Sequence, residues 1–380
     1  MAKQIKNYEE LKSFIPNNGN EENYALLTHY LQMEDTPDKE NKFNELVNKY
    51  EFSGYKLAQA EKFYVKKVIP FKCQEKPIFT FIDLFAGIGG FRLAMEANGG
   101  RCVYSSEWDD AAKQTYYANY GEVPYGDITK VDPADIPNFD ILTGGFPCQP
   151  FSSIGKREGF KHKTQGTLFF FIAKIIEQKK PKVFLLENVP GLLSHQEGKT
   201  FETIMDVLKN ELGYFVYTNV LNSADFKVPQ ERKRLYFVGF RKDLSIGNYS
   251  FPKACNHKVG IGQFIEKNAE GPSISEHLQK SYLFKKDDGH PEIIDEKSDF
   301  PVKTLVATYH KIQRITGTFV KGGKTGLRLL TERECRAIMG FPNNFIIPVS
   351  RTQMYHQFGN SVAVPVVTAI SKQIIKTMKK

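Results

Sequence analysis

Cysteine is scarce in this chain. Five cysteines are spread over 380 residues and no two form a CxxC pair. That excludes a disulfide framework and a zinc ligand set, and it predicts a reducing, cytoplasmic setting. No apolar run approaches the ~18 residues of a membrane span. The first ten residues are polar and charged, so no secretory signal is expected. Collagen, coiled coil, disulfide scaffold and membrane protein are excluded on these grounds. Tryptophan occurs once, as Trp108, and a GxGxxG run is missing. Acids are absent from residues 301–328, which carry Lys303, Lys311, Arg314, Lys321, Lys324 and Arg328.

Apolar residues make up 41% of the chain and charged residues 25%, enough for a packed core. The length allows two or three domains. The net charge of +9 makes an anionic partner plausible. Residues 1–77 are neutral, with twelve lysines against twelve acids, so the whole excess lies beyond them. Apolar spacing at 9–15, 24–31 and 43–50 predicts a small helical extension there.

From residue 79 short β-rich runs alternate with helical patterns. The spacing predicts strands over 78–85, 101–106, 140–143 and 183–186, and helices over 91–98, 111–120, 167–177 and 200–211. Segments 215–221 and 235–240 read as a closing pair of strands. This alternation means an α/β, doubly wound sheet with helices on both faces. A helix over 331–339 follows a Thr cap with Glu334 three residues on, and an apolar helix over 362–378 ends the chain.

Two ends of this sheet carry chemistry. In FIDLFAGIGGF, residues 81–91, a strand meets a glycine-rich turn that opens a helix. Glycines allow close backbone approach and the helix start offers free amides. Glu107 ends the next strand, where an acid can accept both ribose hydroxyls. Trp108 beside it could cover an adenine, and Asp127 in GDI, residues 126–128, could accept from its amine. A tight turn without a ligand is the alternative. At the other end, GGFPCQPFS over residues 144–152 places Cys148 in a loop at a strand's carboxyl end, where α/β active sites lie. A lone cysteine can equally be a small buried hydrophobe. Glu187 ends an apolar strand and is costly there if unpaired. Arg232 and Arg234 alternate onto one face and could clamp an anion or form a solvated basic edge.

Taken in order, these motifs resemble the cytosine-C5 DNA methyltransferases, the modification enzymes of restriction–modification systems. The carriers are the 83–90 turn, Glu107-Trp108, GDI, FPCQPFS, GTLF at 166–169, ENV at 187–189, QERKR at 230–234, residues 328–342 and QFGNSV at 357–362. The resemblance spans residues 78–380. It implies a Rossmann-like methyltransferase sheet with a smaller DNA-recognition domain. The expected division is 1–77 as the extension, 78–262 with 350–380 as the catalytic domain, and 263–349 as target recognition and hinge.

The resemblance also implies a mechanism. Cytosine C5 is a poor nucleophile, and addition of a thiolate to C6 activates it. Cys148 matches the nucleophile. Glu187 matches the contact to N3 and the exocyclic amine. Arg232 matches the contact to O2 that also organises the cysteine loop, with Arg234 in the same cluster. The methyl donor is S-adenosylmethionine, released as S-adenosylhomocysteine, with no metal. Phe85, Gly87, Gly89, Glu107, Trp108, Asp127, Pro147, Leu168, Asn360, Ser361 and Val362 are expected around it.

The target base must be flipped from duplex DNA. Gln149, Ser152, Lys156 and Arg157 belong to the loop expected to close on it. Thr304 and Leu305 resemble the family's short recognition element, and Tyr309, His310, Gln313 and Arg314 are candidate base readers within the acid-free stretch. A monomer acting on double-stranded DNA at the nucleoid is expected, with a cognate restriction endonuclease acting separately and no membrane. A tRNA cytosine-C5 methyltransferase and a catalytically idle DNA-binding regulator stand as alternatives.

Overall fold

The alternating segments become one six-stranded sheet in a computed structural model. It describes residues 10–11, 13–14, 21–33, 37–50, 53–63, 69–147, 168–244, 248–255 and 257–379. The strands are β1 (Phe79–Leu84), β2 (Gly100–Ser106), β3 (Ile141–Gly145), β4 (Val183–Asn188), β5 (Tyr214–Asn222) and β6 (Lys233–Arg241). Their order is β2-β1-β3-β4-β6-β5. The first four are mutually parallel; β6 pairs antiparallel with both β4 and β5. Central strands such as VFLLEN carry apolar residues on both faces because helices cover both.

Among the described residues of the extension are the helices α1 (Glu21–Gln32), α2 (Pro37–Tyr50) and α3 (Gly54–Phe63), while the spacing at 9–15 lies partly outside the described residues. The third lies outside the apolar spacing read from the sequence. Within the sheet domain run α4 (Gly90–Glu96), α5 (Asp110–Tyr120), α6 (Leu168–Lys179) and α7 (Lys199–Asp206), the last continuing as a π-helical turn to Glu211. α4 and α5 pack on one face of the sheet with Phe79 and Phe81; α6 and α7 pack on the other with Ile82 and Leu84. Tyr125 adds one parallel bridge to the end of β2, its amide donating to Ser105 O at 2.8 Å while Glu107 N donates to its carbonyl at 2.7 Å. The residues that follow Tyr125 are thereby laid against Glu107.

A smaller three-stranded sheet, β7 (Glu292–Ile294), β8 (Thr318–Lys321) and β9 (Leu327–Arg328), lies in the later part of the chain. It is followed by α8 (Glu332–Met339), α9 (Arg351–Asn360) and α10 (Val364–Met378). Thr331 and Glu334 form the expected reciprocal cap of α8. Glu334 is fully buried and pairs with buried Arg328 through two bonds of 2.8 Å. α10 packs on α4 and so returns the chain end to the glycine-rich turn. One apolar cluster runs from Phe81 and Met95 through Phe358 and Ile370 to Ile294 and Phe319, so the two sheets share a core.

Candidate active site and cofactor cavity

The carboxyl ends of β1, β2, β3 and β4 open onto one cavity of about 740 Å³. The glycine-rich turn forms its floor. Phe85 and Gly87 take positive φ there, and a Cβ built on Gly87 would project into open space. Gly90 is closed in from the other side, where a Cβ would meet Ser361 Oγ and Val362 at 2.9 Å. Gly89 behaves differently from the expectation. It does not line the cavity but caps α4 with φ 84°, and a Cβ would run into the Tyr120 ring.

Glu107 is nearly buried at the cavity edge. One carboxylate oxygen accepts from Gly87 N at 2.8 Å; the other accepts from Trp108 N and Asp109 N, each at 2.9 Å. Burial pushes its pKa up, against the pull of these amides. Trp108 is 78% exposed at the rim, an unusual place for a large apolar ring unless something flat covers it. Asp127 Oδ1 accepts from the amide and hydroxyl of Thr129. These residues share the lining with Pro147, Leu168, Asn360, Ser361 and Val362. The sequence reading missed Gln357 and His356, which reach the same wall from α9, and Val189, the last residue of ENV, as lining residues.

Glu187 sits on the far side of this cavity. It is the fifth residue of β4, beside Gly145, whose missing side chain leaves room for a Glu187 oxygen 3.2 Å from where a Cβ would stand. Arg234 Nε lies 3.0 Å from Glu187 Oε1. Burial raises the pKa of this carboxyl although Arg234 and Arg232 attract its charge. Asn188 donates to Phe146 O at 2.9 Å and ties the end of β4 to the loop that leads into residue 148. Cys148, Gln149, Ser152, Lys156 and Arg157 lie outside the described residues.

The two arginines divide their work otherwise than expected. Arg232 is buried and donates to Leu305 O at 3.2 Å, Gly359 O at 3.0 Å and Ser361 O at 2.7 Å. Its guanidinium is spent on three backbone carbonyls, and Arg234 is the one beside Glu187. Buried Gln230 acts similarly: it donates to Ile338 O at 2.7 Å and accepts from Leu305 N at 2.6 Å.

The candidate base readers are placed as follows. Leu305 and Tyr309 are core residues; the Tyr309 hydroxyl donates to Thr318 O and accepts from Leu330 N. Thr304 gives its hydroxyl to Glu231 O at 2.6 Å. Arg314 is held by Asp288 and the carbonyls of Leu283, Lys286 and His290. His310 is half-buried, and Gln313 is the exposed member of the set. Sequence reasoning saw polar types in a basic stretch, but not that Thr304 and Leu305 bond to residues 230–232.

A family model described as C-5 cytosine-specific DNA methylase matches residues 79–376. The chain belongs to this family. Among relatives of the methylase, the type II methyltransferase M.MspI of Moraxella sp is 60% identical over 79% of this chain and 71% of the relative. M.BsuFI of Bacillus subtilis is 58% identical over 77% and 71%. M.HhaI of Haemophilus parahaemolyticus is 40% identical over 81% of this chain and 97% of its own. In fold the methylase is similar to the solved structure of S. pombe Dnmt2 methyltransferase, with a TM-score of 0.64 at 22% identity over 78% of this chain and 99% of that one. The methylase is therefore a DNA cytosine-5-methyltransferase on an α/β methyltransferase sheet. No described helix is long and apolar enough to cross a membrane.

Proposed function

We propose that the enzyme takes its methyl group from S-adenosylmethionine bound in the cavity and delivers it to a cytosine flipped out of duplex DNA, as the modification enzyme of a type II restriction–modification system. The observation that carries this reading is the single cavity shared by Glu107 and Trp108 at one end and Glu187 and Arg234 at the other. The residues suit the cofactor. The Gly87 turn leaves an open cradle, Glu107 retains lone pairs for a ribose, Asp127 for an amine, and the Trp108 face is free to stack. Bound there, S-adenosylmethionine supplies an electrophilic methyl on a sulfonium and leaves as S-adenosylhomocysteine.

The remaining steps belong to side chains. Cys148, as thiolate, adds to C6 of the cytosine. Glu187 in its protonated form donates to N3 and accepts from the exocyclic amine, so charge does not accumulate on the ring. A proton-bearing carboxyl fits the raised pKa of this group. Arg234, held on Glu187, takes the O2 contact that the sequence had given to Arg232. After methylation a base removes the C5 proton and the Cys148 thiolate is expelled. Residues 263–349 form the recognition lobe, hinged to the catalytic lobe through the Gln230 and Arg232 bonds. The enzyme acts as a monomer in the cytoplasm at the nucleoid, apart from any cognate endonuclease.

The deciding experiment is base-resolution methylation sequencing of DNA from cells expressing the chain, beside a Cys148→Ser control. The expected result is 5-methylcytosine in one short motif, made only by the native protein. Soluble native protein that leaves DNA unmethylated but modifies tRNA would overturn the DNA assignment.

The stacking role of Trp108 has its own check. Trp108→Ala should weaken S-adenosylhomocysteine binding about tenfold by calorimetry, because aromatic stacking on a base contributes ~1–3 kcal/mol. The melting temperature should hold, since the ring is exposed. Unchanged affinity would remove Trp108 from the site.

A further inference from the structure

The first 77 residues precede the segment matched by the family model, yet α1 grips the connection that carries Asp127. Fully buried Thr28 is central. Its hydroxyl donates to the carbonyls of Ala25 and Tyr24 at 3.0 and 3.1 Å and accepts from Val123 N at 2.9 Å. Gln32 donates to the carbonyl of Tyr120. His29 gives Nδ1–H to Ala25 O, sets Nε2 3.6 Å from Glu122 and lays its ring 5.2 Å from Tyr125. Leu27, Tyr30 and Leu31 pack with Tyr117 and Val123 in a core of their own.

The gripped residues lead straight to the cavity by two routes. Tyr120 donates its hydroxyl to Gly89 O at 2.8 Å, in the glycine-rich turn. Glu122 pairs at 2.6 Å with fully buried Arg92, which stands on α4 just after that turn. Tyr125 is stitched between Ser105 and Glu107, and Gly126 and Asp127 follow it into the lining. The extension has no net charge to attract phosphates, and among the described residues α1 buries Thr28 and Gln32 against this connection and the end of α5.

We propose that the N-terminal helical cap is a positioning element of the cofactor site, with Thr28 and His29 holding residues 120–125 so that Glu107, Asp127 and the Gly87 turn keep their binding geometry. This rests on the cavity being the S-adenosylmethionine site. Thr28 and His29 touch no cofactor; they act through the connection.

The test uses the full chain. Trp108, the lone tryptophan, reports from the cavity rim, so its fluorescence follows S-adenosylhomocysteine binding directly. Thr28→Val keeps the side chain's shape but leaves the Val123 amide buried without its acceptor. It should raise both that Kd and the KM for S-adenosylmethionine roughly fivefold, the scale of a coupled buried contact. The kcat at saturating cofactor and the Kd for DNA should stay within about twofold of native, since the bond touches neither end of the chemistry. Thr28→Ser, which keeps the acceptor, should restore native values. His29→Gln is the second variant, read by the same KM-against-kcat split, should Thr28→Val not fold. Native cofactor affinity in the folded variants, with only the melting temperature lowered, would reduce the cap to a prop and overturn the proposal. A loss confined to DNA affinity would overturn it in favour of a DNA-contacting cap. Native protein that fails to bind S-adenosylhomocysteine would instead sink the cofactor reading beneath it.

Discussion

Glu187→Gln should lower kcat about 10²- to 10⁴-fold, the usual range for a positioned proton donor, with cofactor affinity unchanged. Glutamine can still donate to N3 and accept from the exocyclic amine of cytosine. It cannot release a proton to the ring. The substitution therefore separates proton transfer from base binding, and KM for DNA should move far less than kcat. The pH profile adds a second reading. Burial raises the Glu187 pKa while Arg234 draws it down. A rate that needs the protonated carboxyl falls as pH climbs through that pKa. Arg234→Gln removes the first-ranking attraction, so the pKa rises further and the alkaline limb moves to higher pH. In Glu187→Gln that limb should vanish. A glutamine variant with native turnover, or a native profile in Arg234→Gln, would leave Glu187 without its proposed role.

The second large effect is structural. Arg232→Ala strips three buried carbonyls, on Leu305, Gly359 and Ser361, of their charged donor. Charged hydrogen bonds are stronger than neutral ones, and orphaned buried acceptors are costly, so a loss of ~3 kcal/mol or more is expected. For a protein of this size that lowers the melting temperature by roughly 3–5 °C. Arg232→Lys should recover little, because an ammonium cannot span three acceptors as a guanidinium does. Thermal melting and cofactor binding, measured together, should both suffer: Ser361 lines the cavity, and at Gly359 a Cβ would sit 2.2 Å from Ala307 N, so this junction has no slack. Had Arg232 made the cytosine contact, the lysine variant would melt like the native protein and fail only in kcat. That result would refute the hinge role.

The order of elements was legible in the chain, because helix and strand periods are local properties. The β1 to β4 runs, the caps of α8 and the closing pair β5 and β6 all lie where apolar spacing and turn residues place them. The same local pattern brings Glu107, Glu187 and the glycine turn to one edge, since they stand at strand ends that a parallel sheet aligns. What each polar group bonds to became visible only in the folded chain. Arg232 and Arg234 are two residues apart on one strand and chemically identical, yet one faces three carbonyls and the other faces Glu187. Tyr309 and Arg314 read as surface donors in a basic stretch, but the partners that bury or clamp them come from β8, from Asp288 and from the turn before α8. Gly89 has the same motif standing as Gly87, and only the Tyr120 ring behind it separates their tasks. Thr28 carries no sequence signal at all, because its importance lies in the amide of Val123, 95 residues away. Local pattern sets where a side chain begins; the partners that reach it across the fold set what it does.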